Sequence, residues 1–240
     1  MTNIIDSYIM NYAADKTSFT LGEVFDSYVK GQPVEKSIMT WHLAQLTAKG
    51  QLARIGKGVY AKSDKSVFSP ELSAEAQIVF NSVKEQFPFA KVCVYEGPWI
   101  FPLLHHLASN QIIYIEVERI AAESVFEQLK TDGKVVYFRP DEDMIYRYIN
   151  LAERAIFIKP LISESPTTKV NGVPVATLEK LLVDIYKDSD FYYLQGGEFY
   201  NIMSNAKTLF SINTDKLFRY ASRRGVKEEI IKIYNEADDI

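Results

Sequence analysis

Five cationic side chains lie between residues 35 and 62 of a chain whose net charge is −4, and only one carboxylate lies among them. Cations gathered on one surface can bind the phosphates of nucleic acid even when the whole protein is acidic. The segment is therefore a candidate DNA-binding surface. Its cations are Lys36, Lys49, Arg54, Lys57 and Lys62.

Uncharged groups that could read a DNA sequence lie between these cations. The spacing of Met39, Leu43 and Leu46 predicts a helix from Pro33 to about Lys49 that turns these three residues inward. The opposite face then carries small and polar side chains, which suit a major groove about 12 Å wide. This face comprises Ser37, Trp41, Ala44 and Ala48, with Thr40 and Gln45 at its margins.

Two residues of this helix have a second interpretation. Trp41 could contact sugars or a thymine methyl group, or it could pack against the rest of the protein. His42 is expected to be a partly buried structural histidine.

Lys36 and Lys49 lie near the two helix ends, where they would contact phosphates and so position the protein without reading sequence.

Two further helices and a hairpin are predicted to hold the third helix in place. Thr20 lies three residues before Glu23, a capping-box pattern that opens a second helix. Gly50 is well placed to end the third helix. A turn at Gly56–Gly58 then joins two short strands, and Arg54 and Lys57 can reach the DNA backbone or minor groove from this hairpin. Three helices followed by a hairpin are the order of a winged helix-turn-helix.

The stretch TWHLAQLTAKGQLARIGKGVYAK, residues 40–62, resembles the N-terminal winged helix of AbiEi-type antitoxins of abortive-infection (type IV) toxin–antitoxin systems. A second stretch, VNGVPVATLEKLLVDIY at 170–186, is similar to a segment that opens a late helix in that family. The resemblance carries DNA contacts onto Thr40, Trp41, Gln45, Arg54, Lys57 and Lys62.

The same resemblance implies a function. It describes a DNA-binding transcriptional autorepressor that binds operator inverted repeats in double-stranded DNA. It also describes an antitoxin that counters a nucleotidyltransferase-like toxin without forming a stable complex. A homodimer on DNA would match a two-fold symmetric operator. On this basis we expect no enzymatic activity and no cofactor.

Charge and pattern divide the chain into two domains. Residues 1–65 hold eight cations against six anions, so the negative excess lies in the remainder. After the polar stretch at 63–70, strands alternate with helices, and after Ala176 the pattern is helical only. The predicted fold class is α+β/α/β. A winged helix-turn-helix at 1–65 is followed at 66–240 by an α/β domain with a C-terminal helical layer.

The second domain offers one enzymatic alternative. Glu116 and Glu118 share one face of a predicted strand, and Glu96 ends the preceding strand, so the three could hold a divalent metal in a nuclease- or nucleotidyltransferase-like site. A solvated or salt-bridged face that meets Lys91 or Arg119 explains the same carboxylates. The sequence has no Gly-rich phosphate loop, and we expect no metal site.

Several other features carry expectations. Cys93 is the only cysteine and lies in an apolar run, which favours a buried, reduced thiol in a cytoplasmic protein. No signal peptide or membrane span is apparent, and no membrane partner is expected. Asp184 is expected to cap a helix or to pair with an Arg or Lys across the helical layer. A second basic spot could complement a helix dipole or extend a nucleic-acid track, and it comprises Arg219, Arg223, Arg224 and Lys227. A module that binds only protein also remains open.

Overall fold

The computed structural model describes residues 4–31, 33–63, 65–105 and 109–237, apart from the side chain of Ala48. The chain forms two compact units. The first comprises Met1–Phe68 and Lys207–Asn213, and the second comprises Ser69–Ala206 and Thr214–Ile240. The segment at 207–213 is distant in sequence from the rest of the first unit. No local sequence pattern indicates that this segment belongs to the first unit.

Three helices and a three-stranded antiparallel sheet make up most of the first unit. The strands occur in the order β1-β3-β2, so β3 pairs with both β1 and β2. The elements are α1 (Ile4–Ala14), β1 (Phe19–Thr20), α2 (Leu21–Val29), α3 (Lys36–Ala48), β2 (Leu52–Gly56) and β3 (Val59–Lys62).

The inward face of α3 anchors the core of this unit. Met39, Leu43 and Leu46 are all buried, which confirms the predicted orientation of this face. The start of the helix differs from the prediction, because α3 begins at Lys36 rather than at Pro33. Glu35 has an extended backbone (φ −78°, ψ 143°), so the helical path cannot extend back to the proline.

Caps fix the ends of the helices as the sequence predicted. The backbone N–H of Glu23 donates to Thr20 Oγ1 at 3.2 Å, and the N–H of Thr20 donates to Glu23 Oε2 at 2.6 Å. The backbone N–H and the hydroxyl of Thr20 both donate to the Glu23 carboxylate, and these two hydrogen bonds lower the pKa of Glu23. At the end of α3, Gly50 adopts φ +67°, and the N–H of Gln51 donates to Leu46 O at 3.0 Å. This pairing is the Schellman motif, and it directs the chain from α3 into β2.

The second unit is a mixed six-stranded sheet with helices packed against it. The strand order is β6-β7-β5-β4-β9-β8. The strands are β4 (Val92–Glu96), β5 (Ile113–Val117), β6 (Val136–Phe138), β7 (Ile156–Pro160), β8 (Thr167–Val170) and β9 (Val173–Ala176). The α-helices are α4 (Ala74–Gln86), α5 (Ala122–Thr131), α6 (Glu142–Tyr148), α7 (Leu178–Lys187), α8 (Gly197–Leu209), α9 (Thr214–Arg224) and α10 (Lys227–Glu236). Two 3-10 helices cover Gly97–Leu103 and Ser189–Leu194.

Strand direction reverses twice across this sheet, between β5 and β4 and between β9 and β8. β6, β7 and β5 run parallel, β4 runs antiparallel to β5, and β9 runs parallel to β4. Helices α4 and α5 lie side by side, with Gln128 Nε2 donating to Ser82 Oγ at 2.8 Å. The described chain is thus a mixed α/β protein. None of its described helices has both the length and the apolar character needed to cross a bilayer.

Two predicted segments differ from the structure. After β4, where the alternation of strands and helices predicts an α-helix, the chain forms a 3-10 helix that ends at Leu103. Residues 106–108, which follow it, lie outside the described residues. The stretch before α7 contains an unpredicted hairpin, β8–β9. Asn171 and Gly172 form its turn with φ +50° and +83°, as a two-residue hairpin turn of this type requires.

Candidate nucleic-acid interface

The outward face of α3 is open to solvent. Ser37, Thr40, Trp41 and Ala44 are exposed, and Gln45 is half-buried. Trp41 is 57% exposed, and its ring meets the ring of His42 edge-on with centroids 4.8 Å apart. Within the first unit Trp41 is therefore a surface residue that presents most of its indole to solvent.

Hydrogen bonds limit what two of the polar side chains on this face can offer. Thr40 Oγ1 donates to Lys36 O at 2.8 Å, so its hydroxyl is left to accept a hydrogen bond from a ligand. Ser37 Oγ donates to Glu35 Oε2 at 3.2 Å, an exposed contact that a ligand can replace. Thr40 can therefore accept from a base amino group but does not donate to a phosphate without breaking its helix contact.

A buried carboxylate supports the inner side of α3. His42 is 3% exposed, and its Nδ1 lies 2.7 Å from Oδ1 of the buried Asp6. Lys49 Nζ lies 3.4 Å from Asp6 Oδ2. His42 is thus a structural residue that links α3 to α1, as predicted, although it is buried more fully than expected. Lys49 is exposed, but Asp6 partly offsets its charge.

The hairpin carries the other predicted cations outward. Arg54, Lys57 and Lys62 are all exposed, and Lys57 lies in the turn between β2 and β3. The carbonyl of Gly58 accepts from the N–H of Leu21 at 3.0 Å, which fastens this turn to the start of α2. Lys36, at the opposite end of α3, is also exposed, and its Nζ lies 5.8 Å from the ring centroid of Phe25.

The four cations of the second basic spot differ in their surroundings, because one is paired inside the second unit and three are exposed. Arg224 is half-buried and forms ion pairs with Asp184 and Asp188, so its charge is neutralised inside the second unit. Its guanidinium stabilises the packing of α9 on α7 and is not available to nucleic acid. The remaining cations are exposed and line a cavity of about 740 Å³, to which Arg219, Arg223 and Lys227 contribute.

The predicted carboxylate cluster for a metal does not form. The pairing of β4 with β5 places Glu116 opposite Cys93 and leaves Glu96 on the other face of the sheet. Glu116 Oε1 accepts from Lys180 Nζ at 2.7 Å, and Glu96 Oε1 accepts from the N–H of Ser73 at 2.8 Å. No group of three metal-ligating side chains occurs among the described residues. The ligand set proposed from Glu96, Glu116 and Glu118 is therefore wrong.

Glu118, the third member of that set, lies beyond the end of β5. Its Oε1 accepts from the backbone N–H of Lys91 at 3.2 Å. This contact matches the alternative interpretation, in which the carboxylates on these strands are taken up by neighbouring groups rather than by a metal.

A buried ionic network occupies one face of the second unit's sheet. Asp184 on α7 contacts Lys180, Arg224 and the hydroxyl of Tyr220, which confirms the expectation that it pairs with Arg or Lys. At the other end of the network, Lys159 Nζ lies 2.6 Å from Asp188 and 2.8 Å from Asp190. The network ties α7, α9 and a 3-10 helix to β5 and β7. It comprises Glu116, Lys159, Lys180, Asp184, Asp188, Asp190, Tyr220 and Arg224.

Burial and pairing compete within this network. Burial raises the pKa of Glu116, and the opposing effect of Lys180 is too small to reverse it. Burial alone would lower the pKa of Lys159, but the charges of Asp190 and Asp188 raise it above its ordinary value. The pKa of Asp188 is lowered, because Lys159 and Arg224 together outweigh the effect of burial. Each cation of the network lies beside at least one carboxylate, which is the arrangement expected of structural ion pairs.

The sequence of the chain matches the model of a protein family. A family model described as a family of unknown function (DUF6577) matches residues 38–239. The chain belongs to this family. The DUF6577 match begins inside α3 and includes the hairpin and nearly all of the second unit.

No curated protein matches the chain. Among solved structures, the chain is similar to the crystal structure of RV2827C protein from Mycobacterium tuberculosis, at 12% sequence identity. That alignment covers 99% of this chain and 78% of the other, with a TM-score of 0.31. A likeness at this TM-score supports no argument about fold or function for the DUF6577 chain.

Proposed function

We propose that the first unit is a winged helix-turn-helix that binds double-stranded DNA, with α3 in the major groove and the β2–β3 hairpin as the wing. The observation that carries this proposal is the division of α3 into two faces. Met39, Leu43 and Leu46 are buried, whereas the predicted contact residues on the opposite side and in the hairpin are exposed or half-buried. Those contact residues are Lys36, Ser37, Thr40, Trp41, Gln45, Lys49, Arg54, Lys57 and Lys62.

Each class of contact residue has a distinct role in this proposal. Gln45 can make paired hydrogen bonds to adenine, and Thr40 accepts from a base amino group. The exposed face of Trp41 packs against a thymine methyl group or a sugar. The cations contact phosphates, and each neutralised phosphate adds about 0.9 to the dependence of log K on log salt. Because Asp6 partly offsets Lys49, we expect about four such contacts rather than five.

The biological role that we propose rests on the resemblance to AbiEi-type antitoxins. In this role the protein is a cytoplasmic autorepressor that binds inverted repeats upstream of its own operon, as a homodimer on the two-fold operator. It also counters a nucleotidyltransferase-like toxin without a stable complex. It needs no cofactor and has no catalytic activity of its own.

A gel-shift titration with the DNA upstream of the gene tests the DNA-binding proposal. Arg54→Ala and Lys57→Ala should each weaken binding several-fold at low salt and lower the salt slope by about 0.9. Gln45→Ala should instead reduce the preference for this DNA over scrambled DNA by about 1–3 kcal/mol. Lys232→Ala is the matched control, because Lys232 is an exposed lysine on α10 of the second unit. Absence of a shift at low salt, or equal binding by all variants, would refute the proposal.

The antitoxin role has a separate test. Co-expression with the neighbouring toxin gene should restore growth, and affinity purification should recover no stable toxin complex. Persistence of growth rescue in Arg54→Ala would show that neutralisation does not depend on DNA binding. Failure of rescue with an intact gel shift would leave a DNA-binding regulator that is not an antitoxin.

A protein-binding surface is the second candidate for the same face. Ile38, Trp41 and Ile55 are large apolar side chains that are 42%, 57% and 59% exposed. Exposed aromatic and aliphatic residues of this kind occur at the centres of protein interfaces. Trp41→Ala separates the two functions. It should weaken binding to thymine-containing DNA if the face binds DNA, and it should abolish self-association without affecting the gel shift if the face binds protein.

A further inference from the structure

A cavity of about 650 Å³ lies at one edge of the second unit's sheet. Glu118 and Arg119 line it directly after the end of β5, and the loop from Leu161 to Ser165 lines it directly after the end of β7. Because β5 and β7 are parallel, their carboxyl ends meet at this edge. In open α/β sheets, ligands bind outside the carboxyl ends of parallel strands.

Apolar side chains form the walls of this edge cavity. Phe80 on α4, Val92 at the start of β4, Ile162 in the loop after β7 and Pro174 on β9 all line it. Its volume falls within the range of about 300–1,000 Å³ typical of small-molecule sites. Phe80 is half-buried, so part of its ring faces solvent-accessible space, and a planar ligand ring can stack on it.

Cations and hydroxyl groups complete the lining. Lys91 and Arg119 are exposed, and neither forms an ion pair within the described part of the chain. Lys84 Nζ donates to Ala90 O at 2.9 Å and also to Pro88 O, which fixes the chain segment that forms one wall. Ser163, Ser165 and Thr167 also line this cavity. Ser163 Oγ accepts from Arg223 and can still donate to a ligand, whereas Ser165 Oγ donates to Ile162 O at 2.7 Å and can still accept.

Backbone strain marks the loop after β7. Glu164 has φ +62°, a left-handed conformation that is unfavourable for a residue with a side chain. The loop therefore maintains a strained conformation at the mouth of the cavity, and such residues concentrate at ligand sites. Its carboxylate and that of Glu118 can accept hydrogen bonds from amino or hydroxyl groups of a ligand.

We propose that this edge cavity binds a nucleotide. The base lies against Phe80 and the aliphatic wall, its phosphate contacts Arg119 and Lys91, and the carboxylates and hydroxyls bond the base amino groups and ribose. An apolar wall alone would suit any hydrophobic molecule, and two cations alone would suit any anion. The combination of a stackable aromatic ring, two unpaired cations and several hydrogen-bonding groups fits a ligand that has a planar base and a phosphate.

Isothermal titration of the full chain with the four ribonucleoside 5′-monophosphates tests this proposal. The corresponding nucleosides and inorganic phosphate serve as partial ligands. At least one monophosphate should bind saturably, and its nucleoside and inorganic phosphate should each bind about tenfold more weakly or worse, because each keeps only part of the contacts. Arg119→Ala and Lys91→Ala should each weaken the monophosphate about tenfold. Arg147→Ala is the matched control, since Arg147 is an exposed arginine on α6 that does not line the cavity.

Two results would overturn the proposal. One is that no monophosphate binds at millimolar concentration. The other is that Arg119→Ala and Lys91→Ala bind it as well as the wild type and Arg147→Ala do. Phe80→Leu keeps an apolar wall and removes the stacking ring, so it should weaken the monophosphate but leave inorganic phosphate unchanged. Arg119→Ala should bind operator DNA like the wild type, so the nucleotide site and the DNA-binding proposal can fail independently.

Discussion

Lys180 is a fully buried cation in the ionic network of the second unit. Its side chain is fully buried, and its ammonium contacts Glu116 at 2.7 Å and also Asp184. The charges of Asp184 and Glu116 raise its pKa well above the ordinary value, although burial alone would lower it. This cation compensates two carboxylates, and its removal leaves Glu116 without its ion-pair partner and Asp184 with only Arg224 and the hydroxyl of Tyr220.

Lys180→Met should therefore destabilise the protein by about 3–5 kcal/mol, the range found when one partner of a buried ion pair is removed. Urea unfolding followed by circular dichroism measures this loss. Lys232→Met is the control, because Lys232 is exposed and should change stability by less than about 0.5 kcal/mol. A Lys180→Met protein as stable as the control would mean that the stability of the second unit does not depend on these ion pairs.

Glu116→Gln is predicted to cost less than Lys180→Met. Glu116 Oε2 has no hydrogen-bond partner in the described structure, and burial raises the pKa of this carboxyl. A neutral amide loses the ion pair with Lys180 but no longer carries a buried charge, and Lys180 keeps Asp184 as a partner. The same urea titrations rank the two variants, and a larger loss for Glu116→Gln would contradict this account of the network.

The connection from helix α3 into the β2–β3 hairpin depends on Gly50. A Cβ atom at this position would lie 2.5 Å from Val67 Cγ2, and the backbone there has φ +67°. Gly58 in the hairpin turn has nearly the same backbone, with φ +71°, but no atom lies within 4 Å of a Cβ built there. The two glycines therefore separate backbone strain from crowding.

We expect Gly58→Ala to cost about 1 kcal/mol, the penalty of a left-handed conformation for alanine. Gly50→Ala should cost about 1–3 kcal/mol more, because an added methyl group overpacks the contact with Val67. Thermal or urea unfolding of the two variants gives the difference. Equal losses would mean that Val67 moves aside and that the Schellman turn does not depend on close packing.

Across the whole chain, the features that could be predicted from the sequence are those that depend on a short local pattern. The capping box at Thr20 and the apolar spacing of α3 are local, and both appear in the structure as expected. The β8–β9 hairpin was missed because its strands are only four residues long and Pro174 interrupts the second. Its Asn171–Gly172 turn was the signal that could have revealed it.

The sites of the second unit were less predictable, because they are assembled from residues far apart in the chain. Lys180 contacts Glu116 across 64 positions, and the cavity at the sheet edge is lined by residues of α4, β4, β8 and β9 and by the loops after β5 and β7. Glu96 ends its strand as predicted, but its grouping with Glu116 was wrong because strand register decides the face on which a side chain lies. Each of these outcomes depends on topology rather than on local pattern.

The buried groups together predict how stability depends on alkaline pH. Burial raises the pKa of Cys93, Tyr95, Tyr114 and Tyr220 above their ordinary values, and it raises the pKa of Tyr193 to about 12. A group whose pKa is higher in the folded state holds its proton more tightly there. Its stabilisation is complete below the pKa of the unfolded chain and is lost as pH rises through the folded pKa.

The free energy of unfolding should therefore start to fall above about pH 8.5, where an unfolded cysteine ionises, and fall more steeply above about pH 10, where tyrosine and lysine follow. Each proton contributes a slope of about 1.4 kcal/mol per pH unit. Urea titrations between about pH 7.5 and about pH 10.5 measure it. Cys93→Ala removes only the first step, so its stability should stay level to about pH 10. If Cys93→Ala and the wild type begin to lose stability at the same pH, the thiol is not held in its neutral form by burial, and the onset must come from another group.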